Sequence, residues 1–475
     1  MARAMFAKLR EPYVVGVASR IFGQVIAFVS VAVASRYLDL EVFGTYALAW
    51  AAAVIGNTFV FTGLYQALLR SRDFERERDT LLWLLLTVGC AFAIVLVAFG
   101  LLSGGFATAQ GYALLAFAPI PLLSAPAAWW EAQLVRAKRV RAASLYVLVA
   151  ETAALAVAIL MLTSGWQIEA LIAARYAAVL AGVVLTGALV RRLPRLAFRR
   201  DTVRTARRTA LPLWGTSAVH LFTNYGTDII LGAFAPAAMV GAYRGGARIA
   251  ITASNLVLQP LTMLSWSRFT GIEKSGNSLA AMRAAWADNM ALGAAILWPM
   301  NAAVAMLAPA LVVTILDETW LAAAGVVAIL SVSRAIGFGG ALLEPVMMTA
   351  ANGRLQFLIR LWGAGILFIL LLPFARFGAE AAAFAHLASS VFVATLSLVA
   401  IARTLEMPVA HMVKAFAPGL ALTGVVVAVI LTSGTLIDGG GIATGLALKI
   451  GAIVLAWSGL MIVFLTRRIL VLPKP

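Results

Sequence analysis

The sequence has little of the chemistry from which disulfides and metal sites are built. It contains one cysteine and three histidines among 475 residues, so it offers no intrachain disulfide and no zinc-ligand spacing. The cysteine, Cys90, lies in an apolar run, and we expect it to be a small hydrophobic core residue. We therefore predict no metal, no cofactor and no dependence on an oxidising compartment.

Charge is scarce as well. Only 12% of the residues are charged and 63% are hydrophobic. In soluble domains about 25% of the residues are charged and roughly 45–50% are apolar. A soluble globule cannot hide this much apolar surface, because a large part of any globule faces water. The composition therefore predicts an integral membrane protein built of transmembrane helices.

Apolar runs of about 20 residues, the length of a helix that spans a bilayer, recur about fourteen times. Most of the 37 lysine and arginine residues fall in alternate connections, beginning with Arg3, Lys8 and Arg10. The positive-inside rule places these connections and both termini in the cytoplasm. A signal peptide cleaved near Ala34 is the alternative, although the run before it contains Arg20 and is long for a signal core.

The formal net charge of +17 does not indicate a nucleic-acid partner. A nucleic-acid interface needs basic residues gathered on one folded face, with aromatic side chains that stack on bases. Here the basic residues are divided among short loops, so orientation in the membrane accounts for them. We expect membrane lipids, and no nucleic acid, as partners.

The sequence does not fit an enzyme. It has no glycine-rich loop followed by lysine and serine or threonine, which excludes a P-loop ATPase. A membrane glycan polymerase or ligase would need a sizeable external loop, and the connections are short. Glu131, Glu151 and Asp288 lie close to cytoplasmic arginines, and we interpret them as ion-pair partners. We predict no catalytic residue.

The most basic connection, residues 191–208, lies near the middle of the chain. It is interpreted either as a short basic amphipathic helix on anionic headgroups or simply as the most basic cytoplasmic loop. It divides the chain into an N-terminal six-helix lobe (1–190), this connector, a C-terminal six-helix lobe (209–403) and two additional helices (404–475).

The two predicted lobes carry a weak internal repeat. Residues 43–46 read Phe-Gly-Thr-Tyr, and residues 240–243 read Val-Gly-Ala-Tyr at the matching place. Both lobes begin on the cytoplasmic side, so the repeat would relate them by a pseudo-twofold axis along the membrane normal. The lobes have diverged, because Pro236 stands where the first lobe has Asp39.

These segments, together with residues 34–46 and the opening helix that carries Arg20, resemble the polysaccharide exporter and O-antigen flippase family. That family belongs to the multidrug, oligosaccharidyl-lipid and polysaccharide exporter superfamily. The resemblance implies two six-helix lobes with two extra helices. It also implies that the protein flips an undecaprenyl-diphosphate-linked oligosaccharide to the periplasmic leaflet of the bacterial inner membrane by alternating access. Transient contact with other polysaccharide-assembly proteins is a further expectation.

Polar residues within the predicted spans indicate a cavity, because a charge at bilayer depth usually faces protein or water. Four such residues of the eighth span share one face at helical spacing: Arg244, Arg248, Asn255 and Gln259. Arg244 is close enough to the outer interface to extend into the headgroups instead. Arg248 has the alternative of a structural ion pair with Asp228.

The seventh span has a second polar face, formed by Ser217, His220, Asn224 and Asp228. Asp228 with His220 is the candidate site for a coupling H⁺ or Na⁺. A histidine satisfied by hydrogen bonds in the interior is the alternative for His220. For the amides Asn224, Asn255 and Gln259, the alternative is a structural role in hydrogen bonds between helices.

The first and tenth spans complete the set of candidates. Arg20 and Gln24 lie one turn apart in the first span, and Arg20 is about two turns from its start, too deep to reach the headgroups easily. In the tenth span Arg334 stands alone near mid-depth, about ten residues before Glu344.

Guanidinium groups suit a diphosphate, because they bind phosphate oxygens in a bidentate fork and stay charged at any depth. We therefore expect Arg20 and Arg248 to hold the diphosphate, with Arg244 and Arg334 assisting and the amides bonding sugar hydroxyls. The main alternative is a cation-coupled multidrug exporter of the same superfamily, which would need more intramembrane acids. A structural role without transport is the remaining alternative.

Overall fold

The computed structural model describes residues 12–276, 278–433 and 442–471, without the side chains of 12–21 and 140. The described residues form helices joined by short turns. In the N-terminal half the helices are α1 (Pro12–Ala34), α2 (Leu40–Phe61), α3 (Leu64–Arg70), α4 (Phe74–Leu102), α5 (Ala109–Phe117), α6 (Ile120–Arg136), α7 (Val140–Thr163), α8 (Ile168–Val190) and α9 (Arg200–Phe234). They are followed by α10 (Ala237–Lys274), α11 (Leu279–Met306), α12 (Ala308–Ile315), α13 (Ala324–Gly337), α14 (Leu343–Thr349), α15 (Gly353–Phe374), α16 (Ala379–Thr404), α17 (Val409–Ser433) and α18 (Ile442–Thr466).

The prediction of an all-helical polytopic membrane protein is confirmed. Within the described residues, 11 helical segments are long and apolar enough to cross a membrane. The described apolar part of α1, Phe22–Ala34, is shorter. Two further predicted spans fall on α9 and α10, which have 35 and 38 residues. Those two helices are less apolar because they carry the polar faces predicted from the sequence. The number of crossings and the cytoplasmic position of both termini stay predictions.

The chain divides into two compact units, Met1–Arg244 and Gly245–Pro475, with the division inside α10. In the N-terminal unit, Trp129 of α6 is fully buried in a cluster with Leu81 and Leu85 of α4. Ala206 and Ala210 pack against the same cluster, so the first turns of α9 belong to this core. The four-part division predicted from the sequence stays a prediction.

The C-terminal unit has its own core around Trp286 and Phe338. Its helices α11 and α17 approach closely at Gly419, because a Cβ atom there would lie 2.7 Å from the side chain of Ala294. Between α13 and α14, residues Phe338–Gly340 form a turn of 3₁₀ helix. The tenth predicted span is therefore interrupted at these glycines.

The two repeat motifs begin equivalent helices. Gly44 and Gly241 are each the fifth residue of their helix, α2 and α10. Asp39 caps α2 by accepting a hydrogen bond from the backbone N–H of Val42 at 2.8 Å, whereas Pro236 precedes α10. Both residue types suit a helix start, because one accepts from an unpaired N–H and the other has no N–H to satisfy. The difference between the motifs is therefore accommodated at a cap.

One expectation was wrong, because Cys90 is exposed and not part of the core. An apolar run shows that a helix enters the bilayer, but it does not show which face meets protein and which meets lipid. Of the two interpretations of the basic connector, residues 191–199 agree with a loop, since they form no regular secondary structure, and helix begins at Arg200.

Candidate functional site

The candidate site of the N-terminal unit is centred on an ion pair between α9 and α10. Asp228 is fully buried, and its Oδ2 atom lies 3.0 Å from a guanidinium nitrogen of Arg244, whose side chain is 21% exposed. The described partner of Asp228 is thus Arg244, one turn earlier on α10 than Arg248, and an ion pair between Asp228 and Arg248 stays a prediction. Arg244 is held inside the protein and does not extend into the headgroups.

An aromatic ring and a carbonyl group complete the surroundings of Arg244. Its guanidinium carbon lies 4.6 Å from the centre of the Tyr225 ring, a cation–π geometry. The same group donates to the backbone carbonyl of Asn224 at 3.5 Å. Its plane is thus fixed by a carboxylate, a carbonyl and an aromatic face at once.

The polar face of α9 continues one turn before this pair. The Asn224 amide donates to the carbonyl of His220 at 2.8 Å and also contacts the imidazole. Both side chains are exposed within this unit, whereas Asp228 is buried. The predicted face therefore has a buried acid at one end and accessible polar groups at the other.

Arg175 of α8 is a second intramembrane cation, which the sequence analysis missed. Its Nε donates to the hydroxyl of Tyr46 at 3.0 Å, and its guanidinium group lies 3.7 Å from the carboxylate of Glu151. The ring of Trp50 stacks on it at 4.6 Å. Tyr225 is close enough to interact electrostatically with both Arg175 and Arg244. The N-terminal unit thus places two arginines near one tyrosine.

The predicted residues of the C-terminal unit lie along α10 and α13. Arg248, Asn255 and Gln259 are half-buried. Arg334 is also half-buried and interacts with His386 of α16. Arg334 thus has a neighbour on another helix, and its assisting role at the diphosphate stays a prediction.

The first-span candidates are only partly described. Gln24 is half-buried on α1. Arg20 lies on the same helix, but its side chain is outside the described part of the structure. Its predicted contact with a diphosphate stays a prediction.

The acids interpreted as ion-pair partners behave differently from one another. Glu151 pairs with Arg175, and Asp288 pairs with Arg268 at 2.8 Å. Glu131 instead accepts hydrogen bonds from two tyrosine hydroxyls, those of Tyr65 and Tyr146. Glu131 is therefore a half-buried junction between helices and not a surface ion-pair partner.

The acids outside the spans, by contrast, do not suit a phosphate. A concave pocket of about 530 Å³ is lined by Asp39, Glu41 and Glu169, together with the turn at 164–168. Three carboxylates repel an anionic ligand. The ion-paired arginines, Arg175 of α8 and Arg244 of α10, are better candidates for binding an anion.

Comparison with known proteins identifies the chain. Residues 33–325 match the model of a family described as polysaccharide biosynthesis protein. The chain belongs to this family. The matched region of the polysaccharide biosynthesis family includes Arg175, Asp228, Arg244 and Arg248. No curated protein sequence matches the chain.

Solved structures show the fold of this family member. A structure described as lipid II flippase MurJ in an inward closed conformation is similar with a TM-score of 0.78 and 10% identity, covering 95% of this chain and 99% of that one. An inward-facing multidrug resistance MATE family transporter of the MOP superfamily has a TM-score of 0.63 and 13% identity, covering 81% and 94%. A MOP superfamily transporter from Pyrococcus furiosus has a TM-score of 0.51 and 13% identity, covering 83% and 95%.

The resemblance inferred from the repeat motifs is thus confirmed at the level of family and fold. This member of the polysaccharide biosynthesis family has the fold of flippases and exporters, and its relatives in fold are transporters, in agreement with the prediction that it is not an enzyme.

Proposed function

We propose that the protein flips a lipid-diphosphate-linked oligosaccharide from the cytoplasmic to the periplasmic leaflet of a bacterial inner membrane. The observation that carries the proposal is the presence of arginines held within membrane helices, with Arg175 and Arg244 as the described centre. The family supports it, since its members are described as polysaccharide biosynthesis proteins. The fold supports it too, because the similar MurJ structure is described as a lipid II flippase.

The arrangement of Arg175 and Arg244 suits a phosphate group. Each guanidinium is oriented by one acid and one aromatic ring, so little side-chain entropy is lost when an anion binds. Each has five N–H donors, more than its described partners use. Arg20, Arg248 and Arg334 extend this cationic set in the proposal, as predicted from the sequence.

The polar amides provide for the sugar. Asn224 and His220 are accessible on α9, and Gln24, Asn255 and Gln259 add donors and acceptors on α1 and α10. Carbohydrate hydroxyls require such groups, because an unpaired hydroxyl within a membrane is costly. The lipid tail would remain in the bilayer while the headgroup crosses by alternating access.

Coupling to an ion gradient is the part of the proposal that Asp228 carries. A proton or Na⁺ that binds this carboxylate would compete with Arg244 for it. Release of Arg244 would then make its guanidinium available to phosphate. This exchange would link ion binding to substrate binding through one residue pair, with His220 as the neighbouring proton acceptor.

The test is export of the lipid-linked glycan in cells that depend on this protein. Arg20→Ala, Arg175→Ala and Arg248→Ala should each lower export about tenfold or more, because a charge-assisted hydrogen bond contributes about 1.5–3 kcal/mol. Arg354→Ala, at an exposed helix end, is the matched control. Full export by all three variants at normal abundance would contradict the diphosphate site.

A multidrug exporter is the second candidate, and the fully buried acid Asp228 is the observation that favours it. An exporter of organic cations would use this carboxylate for the drug or for its coupling ion. Sensitivity of a deletion strain to cationic dyes, rescued by the wild type but not by Asp228→Asn, would support that function. Unchanged dye sensitivity with lost glycan export would support the flippase.

A further inference from the structure

The non-helical part of the basic connector, residues 191–199, is bound to the N-terminal unit through its backbone. Trp83 and Trp130 donate their indole N–H groups to the carbonyls of Arg195 and Arg192, at 3.0 and 2.9 Å. The Thr80 hydroxyl donates to the carbonyl of Ala197 at 3.0 Å and accepts from the N–H of Arg199 at 3.2 Å. Because the backbone is held this way, the exposed side chains of the segment remain available for other contacts, apart from Arg192, which pairs with Glu75.

The available side chains are of two kinds. Leu193, Leu196 and Phe198 are 87%, 90% and 65% exposed. Arg195 and Arg199 are exposed between them, and the first turns of α9 add further arginines on the face opposite its buried Ala206 and Ala210. Large apolar side chains alternating with arginines suit the boundary between headgroups and acyl chains, where both kinds are satisfied.

A groove of about 860 Å³ leads from this segment along α4. The α4 side of the groove is a single stripe at helical spacing, Trp83, Leu86, Thr87, Cys90, Ala91 and Ile94, and Leu196 and Phe198 close its end. From Trp83 to Ile94 the stripe is about 16 Å long at 1.5 Å per residue. One leaflet of a bilayer has a hydrocarbon depth of about 15 Å, so the groove matches one acyl chain in length.

We propose that this groove and the arginines at its end form a binding site for an anionic phospholipid of the cytoplasmic leaflet. One acyl chain lies against α4, and the phosphate lies between Arg195 and Arg199. An apolar chain and a basic cluster act together here, which is the combination that gives stable attachment at a membrane surface. The site is separate from Arg175 and Arg244 and does not depend on the proposed transport function.

The test uses the full-length protein reconstituted in vesicles of equimolar phosphatidylglycerol and phosphatidylcholine. After extraction in mild detergent, the phospholipid retained per protein is measured by mass spectrometry. The wild type should retain phosphatidylglycerol in clear excess. Each arginine near an anionic surface contributes about fivefold in affinity. The double variant Arg195→Gln with Arg199→Gln should therefore retain the two lipids in the equimolar ratio of the vesicle.

A groove-filling variant separates the chain contact from the charge contact. Ala91→Phe should also remove the excess, whereas Ala98→Phe, at an exposed position of the same helix outside the groove, should not. Arg354→Gln with Arg403→Gln is the matched charge control, since both residues are exposed elsewhere in the chain. Cys90, the single cysteine, gives a second readout, because its alkylation should be slower in phosphatidylglycerol vesicles than in phosphatidylcholine vesicles.

Equal retention of both lipids by the wild type would overturn the proposal. So would an excess that is unchanged both in Ala91→Phe and in the double variant Arg195→Gln with Arg199→Gln. Displacement of phosphatidylglycerol by equimolar undecaprenyl phosphate would overturn it too, since the groove would then belong to the transported lipid. Arginine variants of α8 or α10 that lose glycan export but retain phosphatidylglycerol would concern the transport function alone and would leave the lipid site supported.

Discussion

Gly44 and Gly241 pack against each other at the starts of two helices of the sequence repeat. A Cβ atom on Gly44 would collide with the carbonyl oxygen of Ala237 and lie 2.9 Å from the backbone nitrogen of Gly241. A Cβ atom on Gly241 would collide with the carbonyl oxygen of Leu40 and lie 3.2 Å from the nitrogen of Gly44. The contact is reciprocal, because each glycine meets the carbonyl four residues before the other.

Substitution of Gly44 by alanine should therefore destabilise the protein, although alanine is the better helix former. Neither neighbour is a flexible side chain, so the two helices must separate, and overpacking of this kind costs about 1–3 kcal/mol. Gly365→Ala is the control, since a Cβ atom there meets nothing within 4 Å. Thermal unfolding in detergent should show a lower midpoint for Gly44→Ala only. Equal midpoints would mean that the helices separate at no cost.

The Arg244–Asp228 pair predicts an asymmetry between its two single variants. Arg244→Ala leaves a fully buried carboxylate without its cation, which costs about 3–5 kcal/mol. Asp228→Asn should cost less, because Arg244 is partly exposed and retains the Tyr225 ring and the carbonyl of Asn224.

The double variant Arg244→Met with Asp228→Leu separates structure from transport. It should restore the abundance of folded protein measured by size-exclusion chromatography, because no charge remains buried. It should not restore glycan export. Recovery of export would show that the pair has only a structural role.

The sequence predicted those features that depend on local pattern. Runs of apolar residues gave the helices, and polar spacing on the predicted seventh and eighth spans identified the face that includes Asp228 and Arg244. The pairing of Asp228 with Arg244 was not predicted, because helical periodicity gives the face of a residue but not its depth against another helix.

Features that depend on contacts between distant segments were missed. Arg175 is a single cation in the apolar helix α8, and its partners Tyr46, Trp50 and Glu151 come from α2 and α7. No spacing rule connects them. The non-helical conformation of residues 191–199 has one local signal, Pro194, which disfavours helix in the residue before it. Its remaining cause, the indole donors of α4 and α6, is tertiary.

Arg175 should not tolerate replacement by lysine. An ammonium group keeps the charge but loses the planar stacking on Trp50 and the Nε bond to Tyr46. A double-mutant cycle with Trp50→Leu should give a coupling free energy of about 0.5–2 kcal/mol for the cation–π contact. Glycan export by Arg175→Lys should fall even where its stability matches the wild type. Normal export by a stable Arg175→Lys would restrict this residue to a structural role.

Glu131 should depend on its two tyrosines. Tyr65 and Tyr146 donate to different oxygens of the carboxylate, and an unsatisfied buried acceptor costs about 1–3 kcal/mol. Tyr65→Phe and Tyr146→Phe should each lower the unfolding midpoint. The double variant should lower it by more than either alone, since the carboxylate then loses both donors.

The Glu131→Gln substitution sharpens this prediction. The amide keeps a carbonyl acceptor for one tyrosine but replaces the second acceptor by a donor, so it should cost about as much as one tyrosine variant. Tyr37→Phe, at a side chain that is 51% exposed, controls for the loss of a hydroxyl as such. If Tyr146→Phe were as stable as Tyr37→Phe, the carboxyl would have to be satisfied by groups other than this tyrosine, and the junction between α3, α6 and α7 would not rest on Glu131.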